Sequence, residues 1–423
     1  MKEYRVSMER NGQMVSIGTL RGESHQEAQF SYSEAYLTDA DAVPVSISLP
    51  LQEAPFSPES TRNYFEGLLP EGFTRRSVAQ WMHLDENDYL SILYGLGREC
   101  LGAVQITADS ESMEASYERI SNDQVRALAS EGATKSTELV MKSHLSLTGA
   151  SGKVGLYYDT DQDAWYLPKG TAPSTHIVKQ SHVRLDAIVT NEQLCLLTAA
   201  RCGIEVPESF IINTGNGDEA EVLFATRRFD RIIPEHAHHV SGLPCPRRLH
   251  QEDFAQAMGI PSAWKYETAE DHYLADMFSL LRIHAADPIR DQLKLWDLFV
   301  FNCLIGNTDA HIKNYSLLYD SAMRTVHLAP AYDIVSTAVY VTSTRELSIR
   351  VGSAATIDDI NEDAFRAAAK EIGLGTKLAM KHVADLRERF LPSLKESAEE
   401  LADNGFSKAV ELAERIRQTG YHW

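Results

Sequence analysis

The chain opens on an alternation of apolar and polar positions. Tyr4, Val6 and Met8 alternate with polar residues, Asn11-Gly12 follows, and Val15 and Ile17 resume the pattern. A period of two interrupted by Asn-Gly predicts a β-hairpin. Further strand-like stretches lie at 29–32 and 43–49, a helical pattern covers 58–82 with an interruption at Pro70, and 101–106 reads as a closing strand. Residues 109–135 are polar and acidic and predict a connecting segment with a short helix. A second strand-rich part begins near Leu139, where 144–158 and 165–180 hold strand-like runs separated by Gly-rich and Asp-rich turns. Helical spacing follows at 191–202, closed by Gly203, and strands at 210–213 and 222–229 flank a turn at 214–218. From Gln251 the pattern is mainly helical, with hairpin-like segments at 315–327 and 343–350. The apolar run 295–305 predicts a buried helix, being too short and too polar to span a bilayer. Residues 395–417 read as an amphipathic helix pair with a solvated face. No internal repeat is visible. Strands first and helices after, over 423 residues, predict a mixed α/β (α+β) fold of more than one domain, since a single core rarely exceeds about 250–300 residues.

Composition narrows the class. Hydrophobic residues make up 43% and charged residues 24%, as in soluble globular proteins. Lys and Arg total 40 against 60 Asp and Glu, a formal charge of −20. Such a field repels phosphates, so any affinity for DNA has to come mostly from a partner. The five cysteines (Cys100, Cys195, Cys202, Cys245, Cys303) are scattered without a Cys-x-x-Cys pair, which argues against a disulfide scaffold or zinc knuckle and for a reducing cytosol. The first residues, Met-Lys-Glu-Tyr-Arg, lack the apolar core of a signal peptide, so a cytoplasmic location with no membrane contact is expected. His236, His238 and His239 lack a supporting Cys or carboxylate pattern and read as a solvated loop. Arg247-Arg248 is too short for a nucleic-acid patch.

Three stretches carry candidate chemistry. Thr148-Gly149-Ala150-Ser151-Gly152-Lys153 is rich in small residues that let backbone amides approach phosphates. Its spacing is not that of a Walker loop, and strands expected on both sides resemble the kinase manner of covering a nucleotide; a plain β-turn is the alternative. Asn307-Thr308-Asp309-Ala310-His311-Ile312-Lys313-Asn314 follows the apolar helix and has the Asp-x-x-x-x-Asn spacing of kinase catalytic loops. There the Asp receives or orients the substrate hydroxyl proton and the Asn oxygen binds magnesium. Pro330-Ala331-Tyr332-Asp333-Ile334 then offers a second carboxylate after a short strand, suited to a metal bridging ATP phosphates. Lys179 ends a strand after the Gly-rich loop and can pair with α- and β-phosphates and with a helical Glu, for which Glu192 is placed. The alternatives are an exposed strand-end lysine and a first-turn helix-dipole carboxylate. Arg227, Arg228 and Phe229 are candidate hinge residues beside adenine. His311 either orients Asp309 or is structural.

These residues are similar in order and spacing to those of the HipA family, the serine kinase toxins of HipBA toxin–antitoxin modules. The N-terminal signature stands as Tyr64-Phe65-Glu66-Gly67-Leu68-Leu69-Pro70-Glu71-Gly72, with Leu96-Gly97-Arg98-Glu99 and Leu101-Gly102-Ala103. The kinase signatures stand as Ser146-Leu147-Thr148-Gly149-Ala150, Thr175-His176-Ile177-Val178-Lys179, Arg228-Phe229-Asp230, Gly306-Asn307-Thr308-Asp309 with His311 and Lys313-Asn314, and Tyr332-Asp333-Ile334. The resemblance implies a two-lobed, protein-kinase-like fold: an N-terminal mixed subdomain (1–108), a strand-rich lobe with the ATP loop (139–250) and a helical lobe with the catalytic and metal-binding loops (251–423). It implies Asp309 as catalytic base, Asn314 and Asp333 as Mg2+ ligands, and ATP held by Thr148, Gly149, Ala150, Ser151, Gly152, Lys153 and Lys179. Glu192, His311, Lys313 and Tyr332 complete the nucleotide site, with Arg227, Arg228 and Phe229 at the adenine. Ser146 matches the family's autophosphorylated serine, with Thr148 a second hydroxyl and a plain strand serine the alternative. Family toxins phosphorylate aminoacyl-tRNA synthetases and arrest growth. A helix-turn-helix antitoxin of HipB type binds them and brings them to operator DNA. The family loop often reads Gln-Glu-Lys where this chain has Ser151-Gly152-Lys153, which opens the alternative of a degenerate nucleotide-binding partner of the antitoxin; a small-molecule kinase of the aminoglycoside and choline kinase type, which also uses an Asp-x-x-x-x-Asn loop and a later metal Asp, is the other alternative.

Overall fold

The Asn-Gly turn forms as its residue types require. In the computed structural model, which describes residues 2–108, 114–143, 147, 152–181, 185–217 and 221–420, Asn11 and Gly12 both have positive φ (51° and 76°), the geometry of a two-residue hairpin. They join β1 (Lys2–Arg10) to β2 (Gln13–Gly22). With β3 (Gln29–Tyr32) and β4 (Val104–Thr107) these make a sheet of order β3-β2-β1-β4. Tyr4, Val6, Met8, Ile17, Leu20 and Phe30 enter one core with Tyr64, Phe65, Leu68 and Leu93.

The helical pattern over 58–82 is two helices. Pro58–Phe65 is capped by Ser57, whose side chain accepts from the Ser60 amide. A 3-10 turn, Glu66–Leu68, follows, and Gly72–Trp81 begins after Pro70, which has no amide to continue a helix. A Cβ on Gly67 would lie 2.8 Å from the Gln256 side chain, so the N-terminal signature is mostly core and close packing.

Residues 43–49, expected as a strand, form only an isolated bridge between Ser46 and Leu49. Side chains stand in for the missing neighbour strand. The Tyr32 hydroxyl meets the Val45 amide (2.8 Å) and donates to the Leu49 carbonyl (2.6 Å), His250 Nε2 meets the Val45 carbonyl (2.8 Å), and Glu252 accepts from the Ile47 amide (3.1 Å). The backbone is satisfied without a ladder.

The segment expected to be a connector contributes β5 (Ser116–Arg119) and two helices, Asn122–Glu131 and Ala133–Ser143. With β6 (Lys153–Asp159), β7 (Ala164–Lys169) and β8 (His176–Gln180), β5 forms four successive antiparallel strands, in the order β5-β7-β6-β8, of a six-stranded sheet. The second of these helices ends at Ser143, and the strand expected just before the Gly-rich loop falls on residues that, apart from Leu147, lie outside those described.

The chain makes two units. The first comprises Met1–Gln180, Ala225–Ser262 and Leu317–Val326; the second comprises Ser181–Phe224, Ala263–Ser316 and His327–Trp423. The strand Val222–Arg227 carries the chain from the second into the first. The second unit is mainly helical: Ile188–Arg201, Tyr273–His284, Pro288–Ile305, Glu362–Glu371, Thr376–Asp403 and Lys408–Thr419. Its core is aromatic. Trp296 is fully buried beside Phe299 and Phe365, and its indole donates to the Ala379 carbonyl. No helix of the described residues is long and apolar enough to cross a membrane.

Candidate active site

The helix Pro288–Ile305 starts at an Asp287 cap, carries a buried apolar run from Leu295, and stops at Gly306. Gly306 has φ +71°, and a Cβ there would sit 2.9 Å from the Ala338 side chain and 3.3 Å from the Gly420 backbone. Only glycine meets both demands. The loop it releases is tied down residue by residue. Asn307 returns to the helix through its amide to the Asn302 carbonyl (2.8 Å) and its side chain to Asn302 Oδ1 (2.9 Å). The Thr308 amide donates to Thr337 Oγ1 (2.7 Å), and its carbonyl accepts from Ser348 Oγ (2.6 Å). Asp309 alone of residues 307–311 is exposed. Its amide donates to Asn307 Oδ1 (3.1 Å), and its Oδ1 accepts from the Tyr266 phenol (2.8 Å). Asn314 ends a 3-10 turn, Ile312–Asn314, and its Nδ2 donates to the Asp309 carbonyl (2.9 Å). That contact uses the nitrogen end and leaves Oδ1 as the end suited to a cation. His311 is buried with its ring edge-on to Tyr266, and Lys313 is buried.

The Asp333 stretch is fastened to the same loop. The Tyr332 hydroxyl donates to the Lys313 carbonyl (2.9 Å) and shares a hydrogen bond with Ser316 Oγ (2.6 Å). The Ala331 amide donates to the Glu205 carbonyl, and Ser336 exchanges two hydrogen bonds with the Asn191 side chain. Asp333 itself is half-buried with φ +52°, a left-handed conformation that Asp and Asn tolerate best after glycine. Asp309, Asn314 and Asp333 thus lie on one interlocked piece of the second unit. Glu192 is also in this unit, buried in the second turn of its helix, which has no acidic residue in its first turn. Helix-dipole compensation does not account for it.

In the first unit the register of β6 on β8 sets Lys153 directly opposite Lys179. Both are buried, so Lys179 is not an exposed strand-end lysine. Like charges at opposed cross-strand positions repel unless anionic groups accompany them. Gly152 has a steric reason: a Cβ would lie 2.1 Å from the Gln180 amide nitrogen. A side chain at this position would collide with that of Gln180. Ser146, Thr148, Gly149, Ala150 and Ser151 lie outside the described residues.

Arg227, Arg228 and Phe229 divide. Arg227 is exposed and Phe229 half-buried. The Arg228 guanidinium is instead fully buried, forked onto Asp230 (2.9 and 2.7 Å), with Glu99 (3.2 Å), Ser174 Oγ (3.0 Å) and the Cys100 carbonyl (3.0 Å) as further acceptors. Its guanidinium is committed to this cluster, which leaves its backbone as the part that could serve a hinge. Arg231 and Arg248 also converge on Glu99, and Arg248 reaches Glu9. Burial alone would raise Glu99, but Arg231, Arg248 and Arg228 outweigh it and hold the carboxyl below its usual range. Sequence reasoning missed this cluster, and also Tyr266. Among the described residues no group of three His, Cys, Asp or Glu side chains forms a ready cage for a metal. Magnesium is ordinarily held by one or two protein oxygens plus waters and phosphates, which the donor set of Asn314 and Asp333 fits.

Comparison with known proteins identifies the family. A family model described as the HipA-like C-terminal domain matches residues 145–394, and one described as the HipA N-terminal domain matches 11–107. The putative kinase Y4mE of Sinorhizobium fredii is 32% identical over 401 residues, covering 92% of this chain and 90% of the relative. The serine/threonine-protein kinase toxin HipA of Shewanella oneidensis is 26% identical, covering 78% and 75%. Among solved structures, the complex of the Shewanella oneidensis toxin–antitoxin proteins HipA and HipB with operator DNA gives a TM-score of 0.79 at 21% identity, covering 98% of this chain and 97% of the matched one. At that identity the likeness establishes the mixed α/β fold.

Proposed function

Since the chain belongs to the HipA family, we propose that it is an ATP- and magnesium-dependent serine/threonine protein kinase, the toxin of a toxin–antitoxin module. One observation carries the reading: an exposed carboxylate, Asp309, on a backbone fixed from both sides, with Asn314 turned by its own amide onto the Asp309 carbonyl. Magnesium-bound ATP supplies the phosphoryl group and the neutralised phosphates. Asp309 takes the proton of the acceptor hydroxyl. Asn314 Oδ1 and the Asp333 carboxylate hold the cation. Lys153, Lys179 and the residues of the Gly-rich stretch 148–152 are the groups assigned to the phosphates. Arg227 and Phe229 border the adenine, while Arg228 braces the strand behind it.

The partner is a helix-turn-helix antitoxin of HipB type, through which the chain reaches operator DNA. The acceptor is a protein of translation, an aminoacyl-tRNA synthetase, met in the cytoplasm. Phosphate on Ser146 or Thr148 adds nearly two negative charges beside the nucleotide and lowers its affinity.

The test is γ-labelled ATP with magnesium in host extract, comparing the natural chain with Asp309→Ala. The expected outcome is a labelled synthetase band, with transfer falling roughly 10²–10⁴-fold in the variant, the usual worth of a positioned acid or base, and an unchanged melting curve. Full activity of Asp309→Ala defeats the mechanism. A labelled metabolite with no labelled protein defeats the protein-kinase reading.

A further inference from the structure

Beside Asp309 lies a residue that neither composition nor motif spacing singles out. Tyr266 is nearly half exposed (47%), and it sits in the irregular stretch 265–272. Its phenol nevertheless donates to Asp309 Oδ1 at 2.8 Å, and its ring meets His311 edge-on, centroids 5.3 Å apart. Lys265 Nζ lies 5.4 Å from the centroid of the same ring.

The contact is built from below. The Tyr273 hydroxyl holds the Trp264 carbonyl at 2.6 Å. The Glu267 amide donates to the Ser348 carbonyl at 2.9 Å. The Glu267 carboxylate, nearly buried, accepts from the amides of Tyr273 (2.9 Å) and Arg350 (2.7 Å) and from Arg350 Nε (3.2 Å). Ser348 serves both partners: its carbonyl takes the Glu267 amide, and its hydroxyl donates to the Thr308 carbonyl at 2.6 Å. One residue of the strand Glu346–Val351 thus fixes the neighbour of Tyr266 and the neighbour of Asp309. Two exposed side chains that met by chance would have no such common support, and each would pay rotamer entropy to stay in place.

We propose that Tyr266 is a positioning residue for phosphoryl transfer, holding Asp309 through Oδ1 so that Oδ2 faces the acceptor hydroxyl. This rests on the kinase reading above. In the step, the acceptor oxygen bonds to the γ-phosphorus, the bond from that phosphorus to the β-bridging oxygen breaks, ADP leaves, and the acceptor proton goes to Asp309 Oδ2. The phenol keeps its own proton throughout. An exposed carboxylate samples several rotamers, and only some of them point an oxygen at the acceptor. A donor anchored to the same strand removes the others before the substrate arrives, which is the saving that orientation provides.

The experiment uses the full chain with magnesium and γ-labelled ATP, counting label on the chain itself and on dephosphorylated casein over a series of ATP concentrations. Tyr266→Phe keeps the ring against His311 and removes the hydroxyl. The expected result is a fall in kcat of roughly tenfold, the scale of one hydrogen bond to a charged group, with KM for ATP and the melting temperature unchanged. In the Asp309→Ala background the same change has no further effect, because it acts through that carboxylate. Tyr266→Phe with wild-type kcat overturns the inference and leaves the kinase reading standing. So does a loss that tracks a lowered melting temperature, or label found on Tyr266, which makes it an acceptor. No label from the natural chain removes the kinase reading and this inference together.

Discussion

At Asp333 a backbone demand and the proposed metal-ligand role fall on one residue. Its φ of +52° is costly for most side chains, and Asn is the replacement that adopts it with least strain. Asp333→Asn therefore keeps the turn after Tyr332 but exchanges one carboxylate oxygen for an NH2 group that cannot ligate a cation. The expected outcome is a folded protein whose half-maximal transfer needs at least about tenfold more magnesium, since a hard divalent ion prefers charged oxygen. A magnesium titration of labelled-phosphate transfer decides it, and an unshifted midpoint removes Asp333 from the metal site. Gly306 and Gly152 are constrained differently. Gly306 combines a left-handed φ with close approach of Ala338, whereas Gly152 yields space to the Gln180 side chain.

At the scale of elements, the buried cluster around Glu99 joins pieces far apart in sequence. Glu99 follows the helix Tyr89–Leu96, Arg228 and Asp230 follow the strand Val222–Arg227, Arg248 lies in the short strand Arg247–Arg248, and Glu9 is on β1. Three arginines face three carboxylates with almost no solvent. Removing one member leaves buried charge uncompensated, which costs about 3–5 kcal/mol. Glu99→Gln is expected to lower the urea midpoint accordingly, with little change in kinase chemistry. Glu99 and Asp230 are both held below the usual carboxylate range: burial raises them, and the arginines prevail. Their contribution is present above the ordinary carboxylate pKa near 4 and is lost as pH falls. Glu99→Gln should therefore flatten the acid side of the stability–pH curve, and a curve of unchanged slope would show that Glu99 is not one of the carboxylates behind it. The same cluster explains the limits of the linear pattern. The hairpin at Asn11-Gly12, the break at Pro70, the helix stop at Gly306 and the spacing of Asp309 and Asn314 were legible because each is decided within a few residues. The role of Arg228 was not, because Glu99 lies 129 residues away. Residues 43–49 alternate like a strand, yet Tyr32, His250 and Glu252, which take up their backbone groups, come from elsewhere. Tyr266 carries no motif, and only Ser348 gives it meaning.

For the whole molecule, charge is the property that acts at a distance. A formal −20 opposes the approach of a duplex, whose affinity for proteins comes largely from cations displaced by Lys and Arg. The pair Arg247-Arg248 does not offset this, because Arg248 is spent inside the first unit on Glu99 and Glu9. The purified chain is therefore expected to leave duplex DNA unshifted at about 0.15 M salt, where the Debye length is about 8 Å and only close contacts count. With a helix-turn-helix partner of HipB type, the ternary complex should bind its operator with a salt dependence set by the partner's phosphate contacts, so that log affinity against log salt has the same slope with and without this chain. Fluorescence anisotropy of a labelled operator between 50 and 200 mM salt measures both. A steeper slope on adding the chain means that it contributes cationic contacts of its own, and the repulsive field inferred from its composition is then overcome by a local basic face. An equal slope with higher affinity means that the chain acts by bridging or ordering its partners, as its acidic balance leads one to expect.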